Sequence, residues 1–192
     1  TTGAGTGEEQ GVQDQIDLYF STFAKSMASI GAFIAGDADV ILFLRYNMRS
    51  QIFAKSLPML LVEGALKRLD LLRSQPELKD NLWKIVHALR KGLVENGFST
   101  GKSNSPVTPV VLNGTVGEAA ALSMDLRENF GIFCSVVIYP VIPKGMIILR
   151  LIPTAVHTLD DVNITVKAFA AVKDKLTSGV YKNSAIALSF GE

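Results

Sequence analysis

From Ile16 to Phe23 the chain reads Ile-Asp-Leu-Tyr-Phe-Ser-Thr-Phe, with no proline or glycine, and this β-branched and aromatic weight predicts a buried strand. A second apolar run of small residues, Ala28 to Gly36, predicts a strand in a crowded interior where backbone approaches backbone. Asp37 stands where an N-cap is needed for a helix to about Tyr46, and residues 50–55 read as extended. Leu60, Leu61, Ala65, Leu66, Leu69 and Leu72 then recur at three- and four-residue spacing, the stripe of a helix buried on one side. That helix starts at Pro58 and stops at Gln75-Pro76.

Pro76 opens a second helix with Leu78, Leu82, Ile85, Val86, Leu89 and Leu93 on one face, ended by Asn96-Gly97. Beyond it the periods alternate: strand 107–112, helix 117–129, strands 132–138 and 146–152, and helix 159–176. Such alternation predicts an α/β layered fold. The break at 75–76 divides the chain into residues 1–75 and a small α/β domain, 76–192. Residues from Ser178 onward read as a frayed tail.

Composition narrows the function classes. The 192 residues suffice for a substantial core without disulfide or metal. Charged residues are 19% of the chain against about 25% in an average soluble domain, and the mean hydropathy is +0.28. The chain therefore buries much of its surface, in part against another copy of itself. Nineteen basic against eighteen acidic side chains give a net charge of +1, which supplies no concentrated field for nucleic acid. One cysteine, Cys134, and two histidines make neither an internal disulfide nor an ordinary structural zinc site, so no metal is expected and a reducing cytoplasm is. Lys144 and Arg150 interrupt the most apolar stretch, 132–156, before it reaches the length of a membrane span, which leaves a soluble or peripheral protein. The opening Thr-Thr-Gly-Ala-Gly-Thr-Gly reads as the inside of a longer product.

Lys25 is the first candidate for chemistry. It follows a strand, and Ala24, Ser26, Met27 and Ala28 around it bring few charges, so desolvation of its amine is expected to favour the neutral nucleophile. A lysine that snorkels from a strand end is the competing reading. The whole segment, Asp17 to Gly36 with Phe23-Ala24-Lys25-Ser26 at its centre, closely resembles the cofactor-lysine segment of the α-oxoamine synthases. These pyridoxal-phosphate enzymes join an amino acid to an acyl-CoA. The resemblance continues in order along the chain. Arg49 to Pro58 is similar to the family's Arg-x-x-x-Phe-Ser-x-x-x-Pro segment, and Ser105 to Val110 to its Ser-Pro-Ile-x-Pro-Val strand. Gly131 to Cys134 resembles its Gly-Ile-Phe-Val entry, and Val141 to Gly145 with Leu149-Arg150 and Ala155 to Thr158 its close. Within the family the motifs are nearest to members that condense L-serine with palmitoyl-CoA, with decarboxylation, in early sphingolipid synthesis.

The resemblance implies the C-terminal part of a fold-type I pyridoxal-phosphate transferase: the end of the large domain with a connecting helix, then the small domain. It implies that Lys25 holds the cofactor as a Schiff base and removes the substrate's α-proton, and that Thr22 bonds the cofactor phosphate. It implies that Arg150 pairs with the substrate carboxylate, a structural ion pair being the alternative for that residue. Lys55 and Ser56 would reach the phosphate site of the partner in a homodimer. His157 fits packing and capping beside Thr158. Two positions depart from the family pattern: Ala24 and Ala54 stand where many members carry a serine hydroxyl. The family's ring-binding residues would precede Thr1, so this portion alone is expected to be inactive. Glycine with acetyl-CoA, or alanine with a pimeloyl thioester, are sibling activities. A non-catalytic dimerising fragment is the reading from another class, and the retained Lys25 argues against it.

Overall fold

The structure, a computed structural model, describes residues 2–184. Its contacts divide the chain into a first unit running through Pro76 and a second beginning at Glu77.

In the first unit a single helical turn, α1 (Thr6–Glu9), and a 3-10 turn, Gln13–Gln15, precede two strands. The opening loop folds onto Glu8, whose carboxylate accepts from the N–H groups of Thr2, Gly3 and Ala4 and from the Thr2 hydroxyl at 2.7–3.1 Å. These donors, Thr2 foremost, hold its pKa down to about 2. Strands β1 (Leu18–Thr22) and β2 (Ala32–Gly36) form an antiparallel hairpin with Thr22 opposite Ala32. The interior placement expected for both is not found, since Phe20 is 66% exposed and Leu18 and Phe33 are exposed as well. A two-stranded sheet has no inner layer of its own, and the helix that follows β2 packs on that strand without covering these side chains.

Asp37 caps α2 (Ala38–Asn47) by accepting the Asp39 N–H at 3.0 Å. Residues 50–55 were expected to be extended, but their first part belongs to a helical turn, α3 (Arg49–Ile52). The i to i+4 placement sets the Arg49 guanidinium 5.7 Å from the centre of the Phe53 ring, a contact an extended chain would not make. Helix α4 (Met59–Ser74) follows Pro58, yet its leucine stripe is not packed away within this unit, with Leu60 79% exposed.

The second unit holds the core. Its elements are α5 (Pro76–Glu95), β3 (Thr108–Asn113), α6 (Val116–Phe130), β4 (Ser135–Val137), β5 (Met146–Leu151) and α7 (Leu159–Thr177). The sheet is antiparallel throughout, with β5 between β3 and β4. Alternate β5 residues Ile147, Leu149 and Leu151 are buried with Ile85, Leu89 and Leu93 of α5, Leu122 and Leu126 of α6, and Phe169 and Val172 of α7. One face of the sheet thus carries the helices. Pro109 sits in β3, an edge strand, where its missing N–H costs least.

Capping boxes start both later helices: Thr115 with Glu118, and Thr158 with Asp161. The strand expected over 132–138 is shorter because 131–134 finish the preceding helix. Gly131 takes φ 68°, its N–H donates to the Arg127 carbonyl, and the Ile132 N–H donates back to the Leu126 carbonyl at 2.9 Å. Arg90 on α5 clasps the segment before β3, donating to the carbonyls of Ser103, Ser105 and Val107 and to the Thr108 hydroxyl. Among the described residues no helix is long and apolar enough to cross a membrane.

The expected fraying from Ser178 is also corrected; its part beyond Ser184 lies outside the described residues. Tyr181 is 4% exposed and donates its hydroxyl to the Asp125 carboxylate, which also accepts from Lys175 at 2.7 Å and Asn129 at 2.6 Å. Burial raises the Asp125 pKa, but the hydrogen bonds from Lys175, Tyr181 and Asn129 and the lysine's charge outweigh it and leave the group below the ordinary carboxylate range. Replacing Tyr181 with phenylalanine is expected to cost about 2 kcal/mol at neutral pH, the loss of one hydrogen bond to a charged group. Because the folded pKa of Asp125 is depressed, its stabilisation is complete above the unfolded value near 3.9 and fades as pH falls through the folded one. Urea unfolding of the parent and the variant at pH 7 and below pH 4 checks this: the gap between them should narrow in acid.

Candidate functional site

The loop from Phe23 to Gly31 closes the end of the β1–β2 hairpin and carries Lys25. The Phe23 N–H donates to the Gly31 carbonyl at 2.9 Å, the Ser29 N–H to the Phe23 carbonyl at 2.8 Å, and the Ala28 N–H to the Lys25 carbonyl at 2.9 Å. The last of these holds Ala28 at φ 44°, a left-handed conformation that costs a residue with a Cβ about 1–2 kcal/mol. Such strain is kept where the surrounding contacts fix the loop's shape. The Ser29 hydroxyl is buried with no hydrogen-bond partner among the described residues.

Lys25 is exposed at this hairpin end, without the desolvation that its apolar neighbours suggested. A hairpin end projects from its sheet, so small residues next to it in sequence do not bury it. No ion pair or hydrogen bond engages its ammonium among the described residues, and none engages the Thr22 hydroxyl three residues earlier on the same hairpin. Lys55 and Ser56 are exposed on the link between α3 and α4. Leu57, next to them, packs on Gly31, where a built Cβ would lie 2.8 Å from the leucine methyl groups. Gly31 also holds φ 102°, so glycine is required there twice over. The link that carries Lys55 and Ser56 is therefore held against the lysine loop of the same chain.

Arg150 belongs to the second unit. It is the exposed member of β5, on the sheet face away from the helices, with Pro109 of β3 and Ser135 of β4 as its cross-strand neighbours. Its guanidinium reaches the Ser135 hydroxyl at 3.4 Å and makes no ion pair among the described residues. The fork is thus available for a carboxylate that is not part of this chain. His157 accepts the Thr154 N–H at Nδ1 at 2.9 Å, closing the turn in front of α7, while the helix cap itself is Thr158. Cys134 is buried, and burial pushes its thiol pKa up to about 11, which removes it as a nucleophile.

Sequence reading missed Ala28, Ser29, and the packing of Leu57 on Gly31. An alanine carries no sign of a left-handed backbone, and the Leu57 contact spans 26 positions (57 − 31 = 26).

The aminotransferase class I and II family matches residues 2–169. A cysteate-C-fatty acyltransferase of Capnocytophaga ochracea is 59% identical over 180 residues, which cover 94% of this chain and 43% of that protein. A serine palmitoyltransferase of Sphingobacterium spiritivorum is 36% identical over 170 residues, 88% of this chain and 42% of that protein. A solved structure of SPT with its PLP internal aldimine aligns with a TM-score of 0.85 at 29% identity, over 92% of this chain and 44% of that one. The chain spans less than half the length of these relatives, and the match falls in their C-terminal portion. The expected architecture, the C-terminal part of a fold-type I transferase, is therefore the one present. With a match that starts at Thr2 and runs into the last helix, the chain belongs to the aminotransferase class I and II family.

Proposed function

We propose that the whole protein is a pyridoxal-phosphate-dependent acyltransferase that condenses an amino acid with a fatty acyl-CoA, releasing CO2 and CoA, and that L-cysteate is its amino acid. The observation that carries the choice of amino acid is the 59% identity to a cysteate-C-fatty acyltransferase, against 36% to a serine palmitoyltransferase. L-serine with palmitoyl-CoA is the second reading, favoured by the motif resemblance and by the likeness to SPT structures.

The residues present fit the aldehyde and phosphate edge of pyridoxal phosphate. One unpaired amine, Lys25, and one unpaired hydroxyl, Thr22, lie on the same hairpin end, and the loop between the strands is held in a single strained shape. When bound, the cofactor supplies an electron sink for charge developing at the substrate's α-carbon. Lys25 Nζ would hold the cofactor through its aldehyde carbon and would serve as the base toward the proton on the substrate's α-carbon. Thr22 donates its hydroxyl to the phosphate, and Lys55 and Ser56 serve the phosphate site of the second copy in a two-fold homodimer. Arg150 orients the substrate by two parallel N–H bonds to its carboxylate. In this assembly the exposed Phe53, 76% accessible in the chain, faces the second copy.

Cysteate and serine differ at the β-carbon, a sulfonate against a hydroxyl, so competition between them decides the reading. With the whole protein, pyridoxal phosphate and palmitoyl-CoA, CoA release with L-cysteate is expected to exceed that with L-serine at least tenfold. Faster turnover with serine would move the assignment to the second reading. Release with neither would remove both.

A further inference from the structure

On the sheet face away from the helices, Arg150 of β5 lies directly opposite Pro109 of β3 on one side and Ser135 of β4 on the other. The next row on that face is Val111, Ile148 and Val137, all apolar. Asn113, opposite Met146 at the far end of β5, is roughly 13 Å away along the strand. Among the side chains that the three strands place on this face, the Ser135 hydroxyl is therefore the one hydrogen-bonding group beside the guanidinium, and Arg150 Nη2 donates to it at 3.4 Å. The sequence next to Ser135 fixes its direction. Cys134, 6% exposed, and Val136 pack with the core under the helices, so the alternation of a strand turns Ser135 to the opposite face.

We propose that Ser135 is a positioning residue for Arg150, holding the guanidinium toward β4 with one carboxylate-gripping edge open. The inference rests on the assignment of Arg150 to the substrate carboxylate and adds what aims that fork. An arginine stem has many rotamers, and on an apolar face a single fixed acceptor is enough to favour one direction. Pro109 on the other side has no polar side-chain atom, so the pull is toward β4 alone. Nη2 carries one N–H on each of the two guanidinium edges that can grip a carboxylate. Giving one of them to Ser135 leaves the other edge whole for two parallel bonds. A hydroxyl accepts that N–H without neutralising the charge, whereas an acidic side chain at the same place would pair with the fork and compete with the substrate. At 3.4 Å the contact is loose, so it supplies direction more than strength.

An interaction that is the same before and during reaction shows its loss in KM. In the whole protein with pyridoxal phosphate, Ser135→Ala is expected to raise KM for the amino acid, L-cysteate or L-serine, whichever turns over faster, about fivefold. Both kcat and the KM for palmitoyl-CoA should stay within about twofold of the parent. Ser135→Thr keeps the hydroxyl and should recover most of the loss. A threonine variant as impaired as the alanine one, an equal rise in both KM values, or an amino-acid KM that rises in Arg150→Lys but not in Ser135→Ala would overturn the proposal. A second readout involves no turnover. The NMR order parameter of the Arg150 Nε–H, its resonance identified by its absence from Arg150→Lys, should fall in Ser135→Ala and hold in Ser135→Thr. An unchanged order parameter in the alanine variant sinks the positioning role whatever the kinetics. If order falls while neither Ser135→Ala nor Arg150→Lys moves the amino-acid KM, or while no amino acid supports CoA release, the positioning stands and the carboxylate or the reaction assignment falls.

Discussion

Replacing Lys25 with alanine in the whole protein should abolish condensation and leave the cofactor without a covalent attachment. Loss of proton transfer alone removes on the order of 10^2- to 10^4-fold, and loss of the amine that holds the aldehyde adds to it. Lys25→Arg should not rescue, because a guanidinium stays protonated and cannot act as nucleophile or base. The structure supplies the control: the Lys25 side chain is exposed and makes no ion pair or hydrogen bond among the described residues. Stability should therefore change by less than about 0.5 kcal/mol, the range of ordinary surface substitutions. The measurement is mass spectrometry after borohydride reduction, paired with CoA release. A reduced cofactor adduct that persists in Lys25→Ala, or activity within tenfold of the parent, would show that another amine does this work.

Phe169→Ala should be the most damaging single truncation of the second unit. The ring is fully buried and meets Phe98 edge to face, with centroids 5.4 Å apart at 89°. Its removal takes away transfer energy and leaves a cavity that β5 and α6 cannot close without breaking their own packing, a cost of about 3–5 kcal/mol. The lost aromatic pair contributes about 0.5–1.5 kcal/mol within that. Against the 5–15 kcal/mol of a typical domain, such a variant is close to unfolding at ordinary temperature. Phe169→Leu keeps most of the volume and should cost much less. Denaturant midpoints of the three proteins rank them; a cost under about 1 kcal/mol for the alanine variant would mean that the site collapses around the hole.

Helices and caps were legible in the amino-acid order because their signals are local. A three- and four-residue leucine spacing, a proline at the start of α4 and of α5, and Asp37 before α2 act within a few residues of where they stand. The family motifs were legible for a similar reason: Phe23-Ala24-Lys25-Ser26 and Leu149-Arg150 are short and keep their order. What the spacing left undecided was the amino acid of the proposed reaction. Serine and cysteate carry the same amine and carboxylate, so the roles proposed for Lys25 and Arg150 do not distinguish them.

Burial and long-range partnership were decided only in three dimensions. Apolar content in 16–36 and 60–72 was read as interior, yet Phe20, Phe33, Leu60 and Leu66 are exposed in the described chain, because a hydrophobic pattern names a face without naming what covers it. The turn at 49–52 is helical, with the Arg49 and Phe53 side chains brought together by it, and the strand at 132 was shortened by the cap at Gly131. The segment after Ser178 looked like a tail because its anchor, Asp125, lies 56 residues from Tyr181 in sequence. A buried carboxylate must collect donors from wherever the chain brings them, and the order of the strands, β3-β5-β4, decides which elements arrive. The amino-acid sequence by itself therefore determined the periodic helices, the Asp37 cap and the order of the family motifs. The tertiary structure alone decided which of those residues are buried and which are left free of partners among the described residues.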